Sequence, residues 1–419
     1  MLLAVILFAL LCTLMLALSN LHFLSPTVIL AGPWALVFLL QSIFADDMIS
    51  SLMAIAAIFI ITLSFAIGEF WALYFVPNNT TIGSTRVVPP RVLDINSPHE
   101  IRLKRVVILI GICGILGALL YASALGLFQA NSFSELLLLP GIAREKIFGG
   151  ELQVPLLSRI GFIFAYSGVV LAFSYYYFYR WKWWLLLPVF SVLVLGMSQS
   201  GRAGTVLIIL QLIFAIYLKN IIVLKRGLFI AIYKSTLIPF LLFGVVFIGG
   251  QFLREGFGST DSNDISRVLY SLRGYLFGGV SAFASWFDSS SSWNIPALGV
   301  YSFSSLFDAL GLFPQAPGIY DEYLLISNLG ETSNIFTAYR SFIDDFTFLG
   351  ACFVYGFAGF FITSIIYLLS KGKDVYVTVA LPFLTWLAFS PMASLTYFNS
   401  FLVSCFLPFF IIKFWVFRK

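Results

Sequence analysis

Long apolar runs recur through this chain, at 2–18, 27–44, 51–76, 106–128, 157–178, 184–198, 205–219, 235–250, 347–369, 375–390 and 400–415. They constrain the fold more than any other feature, because a helix of about twenty apolar residues crosses the hydrocarbon core of a bilayer. Only 10% of the residues are charged, whereas a soluble domain carries about a quarter. Inside lipid the backbone must satisfy its own hydrogen bonds, so the choice is a helix bundle or a closed barrel. The runs are continuous rather than alternating, which excludes the barrel. The expected fold is an all-α polytopic membrane protein, a bundle of roughly eleven transmembrane helices. The first run has no basic flank and no small-residue cleavage site, and reads as a retained anchor.

Several chemistries are excluded early. Cys12, Cys113, Cys352 and Cys405 all fall inside apolar runs, with no CxxC pattern and no disulfide framework. His22 and His99 are far apart. No metal site, no cofactor and no nucleic-acid partner is expected.

Basic residues concentrate on the cytoplasmic side of membrane proteins, and one alternation of loops satisfies this. It groups Arg86, Arg91, Arg102, Lys104 and Arg105, then Arg180 and Lys182, then Lys219, Lys225, Arg226 and Lys234, then Lys371 and Lys373, and finally Lys413, Arg418 and Lys419. The C-terminus is then cytoplasmic. The opposite face holds Arg144, Lys146, Arg159, Arg202, Arg254, Arg267, Arg273 and Arg340. Seven of these eight are arginine, against a mixed lysine and arginine set on the cytoplasmic side. Guanidinium is planar, permanently charged and suited to phosphate. Any one of these arginines could be solvated or locally paired; as a set they point to an anionic ligand at the outer face.

Residues 251–346 form a single long excursion between spans, so the chain divides into N-terminal spans 1–250, an outer loop or cap 251–346, and C-terminal spans 347–419. The excursion is rich in Tyr, Phe, Trp and Leu, which argues for folded structure. Helical spacing of Ile265, Leu269, Leu272, Leu276 and Val280 predicts an amphipathic helix over 262–288, and 299–313 reads as an interfacial helix. In ETSNIFTAYRSFIDDFTFLG (331–350), Asn334, Thr337, Ser341 and Asp345 would share one helix face, with Arg340 and Asp344 as an i,i+4 pair beside it. Glu69 lies inside an apolar run and is expected to snorkel or to be paired.

Four stretches together resemble the O-antigen polymerase (Wzy) family. GMSQSGRAG (196–204) is similar to that family's small-residue turn, with Arg202 at the arginine position. NIFTAYRSFIDDFTFLG (334–350) is similar to its Asn…Thr…Asp-Phe-Gly…Gly pattern through Asn334, Thr337, Asp345, Phe346 and Gly350, with Thr347 where the family usually has glycine. FLREGFG (252–258) supplies Arg254 just outside a span, and YLFGGVSAF (275–283) supplies Tyr275.

The resemblance implies a bacterial inner-membrane glycosyltransferase acting on undecaprenyl-diphosphate-linked oligosaccharides at the periplasmic face. It also implies a polysaccharide co-polymerase chain-length regulator as partner. Diphosphate contacts would fall to Arg202, Arg144, Arg254, Arg273 and Arg340, with Asn334, Thr337 and Tyr275 also in the binding set. The base would be a carboxylate, ranked Asp345, Asp344, then Glu331 and Asp288. Tyr270, Tyr275, Trp286, Trp293 and Tyr339 are candidates for stacking on sugar faces. The rival readings are an O-antigen ligase, whose outer-loop histidine is missing from 251–346, and a repeat-unit flippase, which would place charges along a central cavity.

Overall fold

A computed structural model describes residues 1–18, 25–75, 97–129, 146, 154–198, 203–225, 263–289, 296–313, 320 and 322–417. In chain order the helices are α1 (Leu2–Leu18), α2 (Pro26–Phe44), α3 (Leu52–Phe75), α4 (Pro98–Ala124), α5 (Leu156–Phe178), α6 (Leu186–Ser198), α7 (Ala203–Leu218), α8 (Asn263–Ser289), α9 (Ser304–Ala309), α10 (Ala338–Ser370), α11 (Val377–Phe389) and α12 (Asn399–Ile411). A two-stranded antiparallel pair, β1 (Leu324–Leu325) and β2 (Thr332–Ser333), interrupts them.

Among the described residues, seven helices are long and apolar enough to cross a membrane: α2, α3, α4, α5, α10, and α7 and α12 with the π turns that extend them. Shorter apolar helices occupy Leu2–Leu18, Trp183–Ser198 and Asp374–Phe389. The expected run at 235–250 lies outside the described residues.

Compactness divides the chain differently from the linear order of spans and loop. One unit comprises Met1–Arg86, Leu269–Lys371 and Trp386–Phe398; the other comprises Val87–Val268, Gly372–Thr385 and Asn399–Lys419. In the second unit α4 packs on α5 and α6, and α12 packs on α5. Gly117 and Gly161 face each other so closely that a β-carbon on either would collide with the other's backbone. Small residues let helix backbones approach in this way, which is a main source of helix association in lipid. Ser97 caps α4 by accepting the Glu100 N–H, and Lys219 donates to the carbonyls of Tyr176 and Tyr179 at the end of α5.

In the first unit α1 lies on α2, and α10 runs chiefly along α3. Gly68, Gly356 and Gly359 make that seam, each standing where a β-carbon would meet the opposing backbone. Glu69 does not snorkel. It is fully buried in α3, and its Oε2 accepts the Thr27 N–H at 2.8 Å, placing a carboxylate on the N-terminus of α2.

α10 is not one continuous rod. Thr347 has φ 63° and ψ 172°, a conformation outside the helical region. In an unbroken helix, Tyr339 and Tyr355 would lie about 24 Å apart along the axis, yet their ring centroids are 4.8 Å apart. The chain therefore doubles back: a short arm, 338–346, folds against a long arm, 348–370. Tyr339 on the short arm stacks on Trp34 (5.1 Å, 11°) and bonds to the Thr62 hydroxyl at 2.8 Å. The short arm is thus seated against the middles of α2 and α3.

Two expectations are corrected here. The helix begins at Ala338, so Asn334 and Thr337 do not share a helix face with Ser341 and Asp345. Residues 334–337 are non-helical because β2 precedes them and the Ala338 N–H is taken by the Ser390 carbonyl at 2.9 Å. The predicted interfacial helix over 299–313 shrinks to the six residues of α9, flanked by turns.

Candidate functional site

Two arginine clusters form in the first unit, each assembled from segments distant in sequence. Arg273, on α8, grips Asp47 in the α2–α3 turn with both terminal nitrogens (2.7 and 2.9 Å), and its Nη2 also donates to Glu331 Oε2 at 2.9 Å. The ring of Tyr270 lies beside it, 5.5 Å from the guanidinium carbon. The same segments are joined through their backbones: Ile49 N–H donates to Ile326 O, and Asn328 N–H to Asp47 O. Arg273 therefore ties the α2–α3 turn, α8 and the β1–β2 hairpin together.

Arg340, on the short arm of α10, sits in a different environment. Its guanidinium carbon is 3.7 Å from the Tyr320 ring centre, 3.9 Å from Phe336 and 4.8 Å from Trp286. Three aromatic rings thus crowd around the ion, an arrangement that favours a cation. Nε makes a long contact with Asp344 Oδ2 (3.4 Å), and Nη2 donates to Glu322 Oε1. Nη1 is buried and has no acceptor among the described residues. The arginine side chain is 6% exposed, whereas that of Glu322 is 47% exposed.

The two adjacent acids have separate tasks. Asp345 is fully buried, and its two oxygens accept the N–H groups of Tyr301 (2.9 Å) and Ser302 (2.5 Å). The carbonyls of Asp344 and Asp345, at the end of the short arm, accept the N–H groups of Ala297 and Leu298. A helix end leaves such carbonyls without partners, and the 297–302 loop supplies them. Asp345 thus anchors that loop to the apex of the α10 hairpin.

Asp344 is 14% exposed and receives the Tyr320 hydroxyl on Oδ2 at 2.9 Å. Its Oδ1 has no partner among the described residues. Burial and the Asp344 charge push the Tyr320 phenol well above its ordinary range, so it stays protonated and donates.

Of the residues singled out in the sequence, the structure brings together Arg340, Asp344 and Asp345, with Arg273 in the neighbouring cluster. Thr337 stands at the N-cap position of α10 with a buried hydroxyl that lacks a partner among the described residues, and Asn334 lies in the preceding non-helical stretch. Tyr275 is half-buried on α8. Trp286 is half-buried beside Arg340, whereas Tyr339 is fully buried between Trp34 and Tyr355 and presents no open face to a sugar. Asp288 accepts the Ser51 hydroxyl at 2.5 Å. Arg144, Arg202, Arg254 and Trp293 lie outside the described residues. The sequence reading missed Asp47, Glu322, Tyr320 and Phe336. Only YDEY (320–323), two acids between two tyrosines inside the outer excursion, offered a signal.

Each arginine has two carboxylate partners, so neither cluster is an open basic pocket in this conformation. Fold and site together define a helical, multi-pass membrane protein with a buried acid–arginine–aromatic cluster at the apex of a helical hairpin. No family model, no curated protein and no solved structure matches this chain.

Proposed function

We propose that this protein polymerises undecaprenyl-diphosphate-linked oligosaccharide repeat units into O-antigen or a related surface polysaccharide. The reaction would take place at the periplasmic face of a bacterial inner membrane, in a bundle of roughly eleven spans with a cytoplasmic C-terminus. One observation carries the reading. The segment 334–350, which holds the strongest of the family-like patterns, forms the apex where Arg340, Asp344 and Tyr320 converge, and Thr347, at the position where that family has glycine, has a positive φ. Backbone there adopts a conformation that glycine takes most readily.

In the reaction, an acceptor hydroxyl at the non-reducing end of a new repeat unit attacks the anomeric carbon of the growing chain. The bond from that carbon to the diphosphate oxygen breaks, and undecaprenyl diphosphate leaves. We assign the hydroxyl proton to Asp344 rather than Asp345, because both Asp345 oxygens already hold backbone N–H groups. Arg340, with Arg202, Arg144 and Arg254, would stabilise charge developing on the diphosphate. Arg273 is assigned to structure.

The test is the surface glycolipid profile of cells lacking the gene, beside the complemented strain. A lipid core carrying one repeat unit with the ladder gone is expected; a bare core would overturn the polymerase reading. A broken helix is also how transporters build sites within the membrane, so α10 makes a repeat-unit flippase the second reading, and the bare core is the result that it predicts, as would a ligase.

A further inference from the structure

We propose that Glu322 is a displaceable stand-in for a phosphoryl group at Arg340, so that the diphosphate of a lipid-linked sugar binds by replacing this carboxylate. The inference rests on the polymerase reading for the identity of the ligand, and on the geometry of the cluster for the exchange itself.

Three observations carry it. Arg340 is nine-tenths buried, yet its Nη1 has no acceptor among the described residues, so one of its two terminal nitrogens is unused there. Glu322 engages only Nη2. A phosphoryl group presents oxygens spaced to take two guanidinium nitrogens together, and on this edge it would satisfy Nη2 and Nη1 at once. The partners of Arg340 also differ in freedom. Asp344 is held by the Tyr320 hydroxyl as well, whereas Glu322 is the half-exposed partner and can withdraw into water without stranding a buried charge.

The rings of Tyr320 and Phe336 hold the guanidinium in place while its partner changes. The carboxylate keeps the buried cation paired when no ligand is present. It also sets a selectivity: a weakly held monoanion that meets only Nη2 has no advantage over Glu322, whereas a phosphoryl group does.

The experiment titrates inorganic pyrophosphate into the purified full-length protein in detergent or nanodiscs, comparing wild type with Glu322→Gln. Glutamine preserves shape and removes the competing charge, and the expected result is pyrophosphate binding at least tenfold tighter. A parallel Glu331→Gln variant, at the Arg273 cluster, is expected to leave pyrophosphate affinity within twofold of wild type. Unchanged or weaker binding in Glu322→Gln, or no binding in either protein, would overturn the proposal. Equal tightening in Glu331→Gln would overturn it too, because the effect would then be one of general charge.

The polymerase reading fails separately. Tightened pyrophosphate binding with a bare core in the deletion strain would keep the anion site and discard polymerisation. A lost ladder with unchanged binding would do the reverse.

Discussion

The two arginine clusters use similar parts to different ends. Arg273 uses both terminal nitrogens on Asp47 and Glu331, leaving only Nε, on the inner side of the group, without an acceptor among the described residues, and closes three segments into one another. Arg340 is the more deeply buried, yet it keeps a long contact to Asp344, a solvent-facing partner in Glu322 and an unused Nη1. A buried ion pair is weak support for stability in itself, but removing one partner is costly. The difference therefore teaches which cluster holds the fold and which keeps valence in reserve for a ligand.

The largest effect should fall on chemistry. Asp344→Asn is expected to lower repeat-unit transfer by about 10²–10⁴-fold, the range for loss of a general base, measured as product formed per folded molecule from purified lipid-linked substrate. A loss confined to less than tenfold would move the base elsewhere.

Next comes Arg273→Ala, which strands Asp47 and Glu331. Breaking a buried pair from one side costs about 3–5 kcal/mol, and with Asp47 still 23% exposed the expected loss is near the lower end. Thermal unfolding in detergent would register it, with the transition falling by several degrees. Asp345→Asn should lose about 2 kcal/mol, because one charge-assisted acceptor becomes a donor facing a backbone N–H. It would be read in the same experiment, together with faster proteolysis in the 297–302 loop.

The smallest effect has the opposite sign. A non-glycine residue at positive φ costs about 1–3 kcal/mol, and the greater chain entropy of glycine returns about 0.5–1 kcal/mol of that. Thr347→Gly is therefore expected to stabilise by about 1 kcal/mol, and a lower melting temperature would mean that the threonine side chain earns its place by contacts.

Much of the scaffold was legible in the sequence, because apolar runs of spanning length admit few alternatives, and described helices coincide with all but one of the runs. The Arg340–Asp344 pair was legible too, since i,i+4 spacing on a helix is local. What could not be read was non-local. Asp47 reaches Arg273 across 226 positions, and no periodicity reports such a pairing. The start of α10 was misplaced for a related reason: the polar spacing continues upstream through Thr337 and Asn334, while the β1–β2 hairpin and the Ser390 carbonyl hold that stretch out of the helix. The break at Thr347 carries no glycine or proline signal, and only the family-like pattern marked the position.

The most direct test sets the two clusters side by side. Arg340→Gln and Arg273→Gln would each replace the chromosomal copy, and the surface polysaccharide ladder would be measured against the amount of folded protein in the membrane. The expected result is a ladder that falls in Arg340→Gln far more than folded protein falls, and a ladder that falls in Arg273→Gln only as far as folded protein falls. A full ladder in Arg340→Gln would contradict the assignment of that cluster to the ligand.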